Sequence, residues 1–313
     1  PMPINLTVTA KTSSGQAVPL PMPMRLKLDR SVDRPADILT LFFPFDTPAD
    51  NLSRLSLRGD IYFEGLVDET RLMQTSSGNF LRIICRSLAA LLTDNHAYPT
   101  TLDNPTPDSI IQMYCPFMGF LGFKYDTYTP LTTFTTIHGT SVWKAVEAYC
   151  MQAFGCQQRV TNDGYLTAKP YASQTVHTFG SGAHPLYSLE RIIDRTAPIS
   201  AISVRDAEGD YSLAVLNNDA PADIRRQRYV IPASPWVNDR ARLATRIIRQ
   251  SMRDYKTAEL TRDVFSGVEL GDKVQLAGDT DQTDWRIGRI LISADENGAI
   301  MRLRLVNGEF LKL

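Results

Sequence analysis

Asp239-Arg-Ala-Arg-Leu-Ala-Thr-Arg-Ile-Ile-Arg-Gln-Ser-Met-Arg-Asp-Tyr255, followed by Gly267-Val-Glu-Leu-Gly-Asp-Lys-Val-Gln-Leu276, decides the reading of the fold. The first piece belongs to a helix expected over Val237–Tyr255, because Val237, Ala241, Ala244, Ile248 and Met252 recur at three- and four-residue spacing. The second opens a train of short strands, Ala258–Phe265, Lys273–Leu276, Trp285–Ser293 and Ala299–Val306, the last two joined by Asp295-Glu-Asn-Gly298. Such a string is expected to close a small β-barrel or sandwich over one packed helix. It sets no nucleophile, base or phosphate loop at a strand end, a pattern that favours gripping other proteins over chemistry.

Upstream, the segment to about residue 95 reads as strands. Asn5–Ala10 and Met24–Leu28 alternate apolar and polar residues, Ile38–Phe45 and Phe80–Cys85 are strongly apolar, and Ser87–Asn95 reads as a short helix. Pro19, Pro21 and Pro23 mark a loop and an edge segment. In the middle segment Asp108 is expected to cap a helix through Tyr114. Thr140 or Ser141 is expected to cap a second helix, Val142–Phe154, which Gly155 ends. A hairpin is expected around Asn162-Asp-Gly164. Leu189–Ile193, Ile199–Arg205 and Tyr211–Leu216 then read as strands. The expected class is α+β: two β-barrel-like domains with an inserted α/β lobe and one long helix in the C-terminal region. The domains are residues 1–95, 96–185 and 186–313, and the last strands are candidates to complete the first barrel.

With 313 residues, two or three domains are expected. A net charge of −1 argues against a dedicated polyanion binder, which carries a marked basic excess. No apolar run is long enough to span a membrane, and no secretory signal is legible at the N-terminus. Cys85, Cys115, Cys150 and Cys156 lack metal-site spacing and read as reduced core thiols.

Three pieces carry a family resemblance: Ile61-Tyr-Phe-Glu-Gly-Leu-Val-Asp68; Gly139-Thr-Ser-Val-Trp-Lys-Ala-Val-Glu147 followed by Asp163-Gly-Tyr-Leu166; and the Arg240–Tyr255 helix followed by Gly267–Gln275. Their order and spacing resemble the baseplate hub proteins of contractile phage tails, the late control gene D type, found also in prophages and phage-tail-like particles. The resemblance covers nearly the whole chain as an arrangement of elements. It implies barrel-like domains assembled as a trimeric ring that joins the tail tube to the central spike of a virion baseplate, after synthesis in the bacterial cytoplasm. It implies no enzyme activity and no cofactor. The implied partners are other copies of the chain and the tube and spike proteins, with DNA met at most in passage through a channel.

Two features are candidates for the interface. Ile61, Phe63 and Gly65 alternate with Tyr62, Glu64 and Leu66, so both faces of that strand are largely apolar; Tyr62, Phe63 and Leu66 are the residues expected to meet a neighbour. Arg242, Arg246, Arg249 and Arg253 form a basic stripe on the late helix, expected to be solvated or to pair between subunits. Chemistry has weaker support. Asp60, Glu64, Asp68 and Glu69 read as solvated turns rather than a glycosidase pair, and Asp279-Thr-Asp-Gln-Thr-Asp284 lacks the glycine and glutamate of a calcium loop. His96, His138, His177 and His184 show no metal-ligand spacing. The rival readings are a carbohydrate- or wall-binding tail protein, which clustered exposed aromatics would support, and a peptidoglycan hydrolase, which needs converging carboxylates.

Overall fold

The computed structural model of the chain describes residues 4–76, 78–116, 118–161, 164–169, 175–180, 185–233, 236–237, 239–278 and 283–311. It opens with β1 (Leu6–Thr12), β2 (Ala17–Leu20), β3 (Arg25–Ser31), β4 (Ile38–Pro44), β5 (Leu52–Gly59), β6 (Phe63–Thr75) and β7 (Gly78–Ser87). A lobe of short elements follows: α1 (Ala90–Asp94), β8 (Thr101–Asp103), α2 (Pro107–Tyr114), β9 (Phe123–Lys124), β10 (Thr133–Thr135), α3 (Val142–Phe154), β11 (Arg159–Val160) and β12 (Leu166–Thr167). Then come β13 (Val176–Phe179), β14 (Ser188–Ile193), β15 (Ala201–Val204), β16 (Leu213–Leu216), β17 (Gln227–Val230) and α4 (Arg240–Arg253). The described chain ends with β18 (Lys256–Asp263), β19 (Lys273–Leu276), β20 (Trp285–Asp295), β21 (Gly298–Asn307) and a 3-10 turn at Gly308–Phe310.

Period-two alternation sets the faces of the main sheet. In β3, Leu26 and Leu28 are buried while Arg25 and Lys27 are exposed; in β21, Ala299, Met301, Leu303 and Leu305 are buried while Ile300 and Arg302 are exposed. The strands run in the order β14-β18-β21-β20-β3-β4-β7-β6-β5-β1-β2, with β19 joined to β20 and β13 to β19. This corrects the expectation of two barrel-like units, for neither set of strands closes on itself. Leu28 lies opposite Leu39 on one side and Ile292 on the other, so β3 spends both edges on β4 and β20. The first and last strands therefore merge into one open sheet.

Among the described residues two large apolar cores result, beside a small cluster of Val32, Val306 and Leu311. One gathers Leu39, Leu41, Phe43, Leu57 and Ile83 with Leu260, Ile287 and Leu305 from the far end of the chain. The other surrounds α3 and includes Ile110, Phe134, Ile202 and Val204 together with Leu243, Ala244 and Ile248 of α4. Thus α4 packs mainly on β15 and β16 in the lobe, reaches α3 through its side chains, and meets the last strands at β18 and the closing 3-10 turn.

Local signals explain the helix ends. Ser141 accepts from the Lys144 amide at 3.3 Å, and Gly155 adopts the left-handed conformation at φ 69° that ends α3. At α2 the cap is Thr106, not Asp108. Its hydroxyl accepts from the Ser109 amide at 3.1 Å while Ser109 Oγ accepts from the Thr106 amide at 2.9 Å, with Pro107 at the first helical position. α4 begins at Arg240, later than expected, where Asp239 caps it by accepting from the Arg242 amide. β11 and β12 pair antiparallel as expected, although Asn162 and Asp163 of their turn lie outside the described residues.

Candidate assembly surface

The strand expected to meet a neighbour divides its residues. Gly65 lies so close to β7 that a Cβ there would stand 2.2 Å from the Arg86 carbonyl oxygen, and this approach draws the start of β6 against the core. Phe63, next to it, is only 2% exposed and belongs to the chain's own core, so it offers nothing to a partner. Tyr62 is 38% exposed and carries the Arg58 guanidinium 4.2 Å from its ring centroid. Leu66 is half-buried.

The arginine stripe also separates. Arg242 donates through Nη1 to the Met151 carbonyl oxygen at 3.0 Å and to that of Gln152, so it caps the C-terminal end of α3, where the helix dipole favours a cation. Arg246 pairs with Glu147 at 2.5 Å with both side chains nearly buried. Arg253 is buried and pairs with Asp33. Arg249 is half-buried and has no ion pair among the described residues. Three of the four arginines are therefore engaged inside the chain, and the solvated-stripe expectation fits Arg249 alone.

A charged cluster ties β3 and the loop after it to β20 and to the turn before β19. Arg289 donates to both carboxylate oxygens of Asp29, at 2.8 and 2.7 Å, and Arg34 donates to the same carboxylate at 2.6 Å. Arg30 lies between Asp37 at 3.2 Å and Glu269 at 2.6 Å. Burial alone would raise the Asp29 pKa, but the Arg289 and Arg34 guanidiniums outweigh it and hold the carboxyl below its ordinary value. A depressed folded-state pKa adds stability above the unfolded value, and this is lost as pH falls through the folded one. Asp29→Asn is therefore expected to cost about 1–3 kcal/mol at pH 7, and that cost should shrink once pH falls below about 4. Urea denaturation at both pH values checks this; an equal cost at both contradicts it.

The remaining sequence candidates are held by ordinary structural partners. Asp60 accepts from the Asn5 amide at 2.8 Å, Glu64 pairs with Arg58 at 2.8 Å, Asp68 with Arg86 at 2.6 Å, and Glu69 with Arg82 at 2.8 Å. Asp284 pairs with Arg286 at 3.3 Å, whereas Asp279 and Asp281 lie outside the described residues. His177 meets the buried Asp272 at 2.9 Å, and His96 bridges to Ser141. His138 is exposed, and His184 lies outside the described residues. All four cysteines are buried and unpaired; burial pushes the Cys156 thiol up to about 11 and that of Cys115 up to about 12, so both stay protonated. Among the described residues no group of three His, Cys, Asp or Glu side chains is placed to hold a metal ion, and no helix is long and apolar enough to cross a membrane.

Two sheet edges had no counterpart among the sequence candidates. Every residue of β14 is exposed, and β18 is its one strand partner among the described residues. β6 leaves β5 at Leu66, and beyond that point β7 is its one strand partner among the described residues, with Leu72 61% exposed. At the far end of the sheet, β2 carries Pro19, which leaves that edge short of a donor. Leu189–Ile193 is readable as a strand, but its position at an edge depends on the whole topology.

No family model and no curated protein sequence matches this chain. Solved structures do. A tail protein from Neisseria meningitidis matches with a TM-score of 0.76 at 16% identity, covering 98% of both chains. A 43 kDa tail protein of prophage MuSo2 from Shewanella oneidensis matches with a TM-score of 0.74 at 13% identity, over 99% of this chain and 98% of its own. An Escherichia coli type VI secretion component, described as structurally similar to the bacteriophage T4 tail proteins gp27 and gp5, matches with a TM-score of 0.62 at 9% identity, over 97% of this chain and 76% of its own. The chain thus has the fold of phage-tail and related secretion-system tail proteins.

Proposed function

We propose that this chain is a non-enzymatic structural protein of a contractile-tail baseplate: a hub that closes as a homotrimeric ring and joins the tail tube to the central spike. The observation that carries this reading is the end-to-end likeness to the Neisseria tail protein, 98% of each chain at a TM-score of 0.76. The similarity to a secretion component described as resembling the T4 tail proteins gp27 and gp5 supports a structural role in a tail. On this reading the partners are other copies of the chain and the tube and spike proteins, and DNA passes through the ring without being held. The division at residues 95/96 and 185/186 belongs to the same proposal, as does an interface role for Tyr62, Leu66 and Arg249. Electron microscopy of the purified chain is expected to show rings with three-fold symmetry and a central opening; particles with two-fold symmetry or none contradict the hub reading.

One observation favours the wall-binding alternative. Tyr211 and Tyr229, 39% and 63% exposed, meet edge to face with centroids 5.1 Å apart beside the sheet formed by β15, β16 and β17. Binding of a soluble glycan that disappears in Tyr229→Ala, by a chain that stays monomeric, would favour this alternative over the hub.

A further inference from the structure

Eight consecutive strands, β14-β18-β21-β20-β3-β4-β7-β6, pair antiparallel at every step. An even run of alternating strands ends with its two outer members pointing opposite ways. When copies are related by rotation about a ring axis, the β6 edge of one copy therefore meets the β14 edge of the next antiparallel. This is the sense in which strands pair by short perpendicular hydrogen bonds, in a head-to-tail contact that closes.

The side chains at the two edges match row by row. On the core side, Leu189 lies opposite the buried Leu260, and Leu72 opposite the buried Leu81, yet Leu189 is 38% and Leu72 61% exposed. On the other side, Glu190 lies directly opposite Glu259, and Arg71 directly opposite Arg82. Like charges in register destabilise a sheet. Glu69 relieves the arginine pair by bridging both members, at 2.9 and 2.8 Å, whereas Glu259 and Glu190 form no ion pair among the described residues. In this row, then, the outermost side chain is a carboxylate on the β14 edge and a guanidinium on the β6 edge.

The backbone phase agrees. The Asp194 amide donates to the Tyr255 carbonyl, so alternate residues from there turn their hydrogen-bonding groups toward β18 and leave those of Leu189 and Ile193 facing the open edge. The Ser87 amide donates to the Asp37 carbonyl on the β4 side, so Arg82, Phe80 and Gly78 turn toward β6; their partners Arg71, Met73 and Thr75 turn toward β7 and leave the backbone groups of Thr70, Leu72 and Gln74 facing outward. Leu189 and Leu72 are then in phase to exchange backbone hydrogen bonds. Setting them opposite each other also sets Glu190 opposite Arg71.

We infer that the open edge of β14 in one copy of this chain pairs antiparallel with the outer half of β6 in the next, in the register Leu189–Leu72 and Glu190–Arg71. The pairing makes the sheet continuous from copy to copy. This inference rests on the ring reading and names the surface that closes the ring.

The test uses the full chain and measures the concentration at half-assembly by mass photometry, with folding checked by thermal melting. Glu190→Arg and Arg71→Glu, both at exposed positions, are each expected to raise that concentration about tenfold, and the double variant to return it to within about threefold of the parent. Arg71→Cys combined with Glu190→Cys should cross-link under oxidation into a ladder ending at the size of the ring. A ring that assembles at the parental concentration in both single variants and gives no ladder overturns the edge pairing while leaving the ring reading intact. Cross-linking of Glu190→Cys alone into a dimer also overturns it, in favour of a β14–β14 contact. A parent chain that never assembles overturns both.

Discussion

Arg246→Ala is expected to destabilise the chain by about 3–5 kcal/mol, because it leaves a nearly buried carboxylate without its cation. Glu147 is held at 2.5 Å by Arg246 and also accepts from Gln157 Nε2 at 3.1 Å, with 11% of its own side chain exposed. Burial already pushes the Glu147 carboxyl above its ordinary pKa, and the Arg246 charge opposes that push. With Arg246 gone, the folded-state pKa rises further. A raised folded-state value favours the fold below the unfolded pKa and loses that benefit as pH rises, so the deficit of Arg246→Ala should be smaller at pH 5 than at pH 8. The companion Arg249→Ala, at a position with no ion pair among the described residues, is expected to cost under about 1 kcal/mol. Urea denaturation of the two variants decides the matter: equal losses mean that the buried pair has no special weight.

Ile248→Ala, two residues along the same helix, is expected to cost about 2–5 kcal/mol from lost burial and the cavity left behind. Ile248 is 6% exposed and sits in the lobe core with Val146, Tyr149 and Ala244. A loss below about 1 kcal/mol would mean that the α3–α4 packing collapses around the gap or is not as described.

These two variants mark the limit of what was legible in the residues. The apolar face of α4 follows from local spacing, and so do the bounds of α3, whose cap residues Ser141 and Gly155 are its immediate neighbours. The fate of the arginines does not follow, because their partners are remote: Glu147 lies 99 positions from Arg246, and Asp33 lies 220 from Arg253. Phe63 was misplaced for a related reason. Apolar residues on both faces of a strand signal burial, but not whether the cover comes from the same chain. That the last strands join the first was expected, and β20 does pair with β3, with Arg289 opposite Ser31. What periodicity within the strands does not record is that the joined strands stay an open sheet instead of closing as barrels. The free edges of β14 and β6 were invisible on the same ground, since an edge is defined by the strand that is missing beside it.

The central claim is that this chain works as a closed ring of three. Its most direct test is the molar mass of the full chain by light scattering, across a concentration series at near-physiological salt. Three copies of a 35.0 kDa chain give about 105 kDa, and the account predicts a plateau at that mass as concentration rises. A mass that stays at 35.0 kDa to the highest concentration reached, or that levels off at two copies, contradicts it.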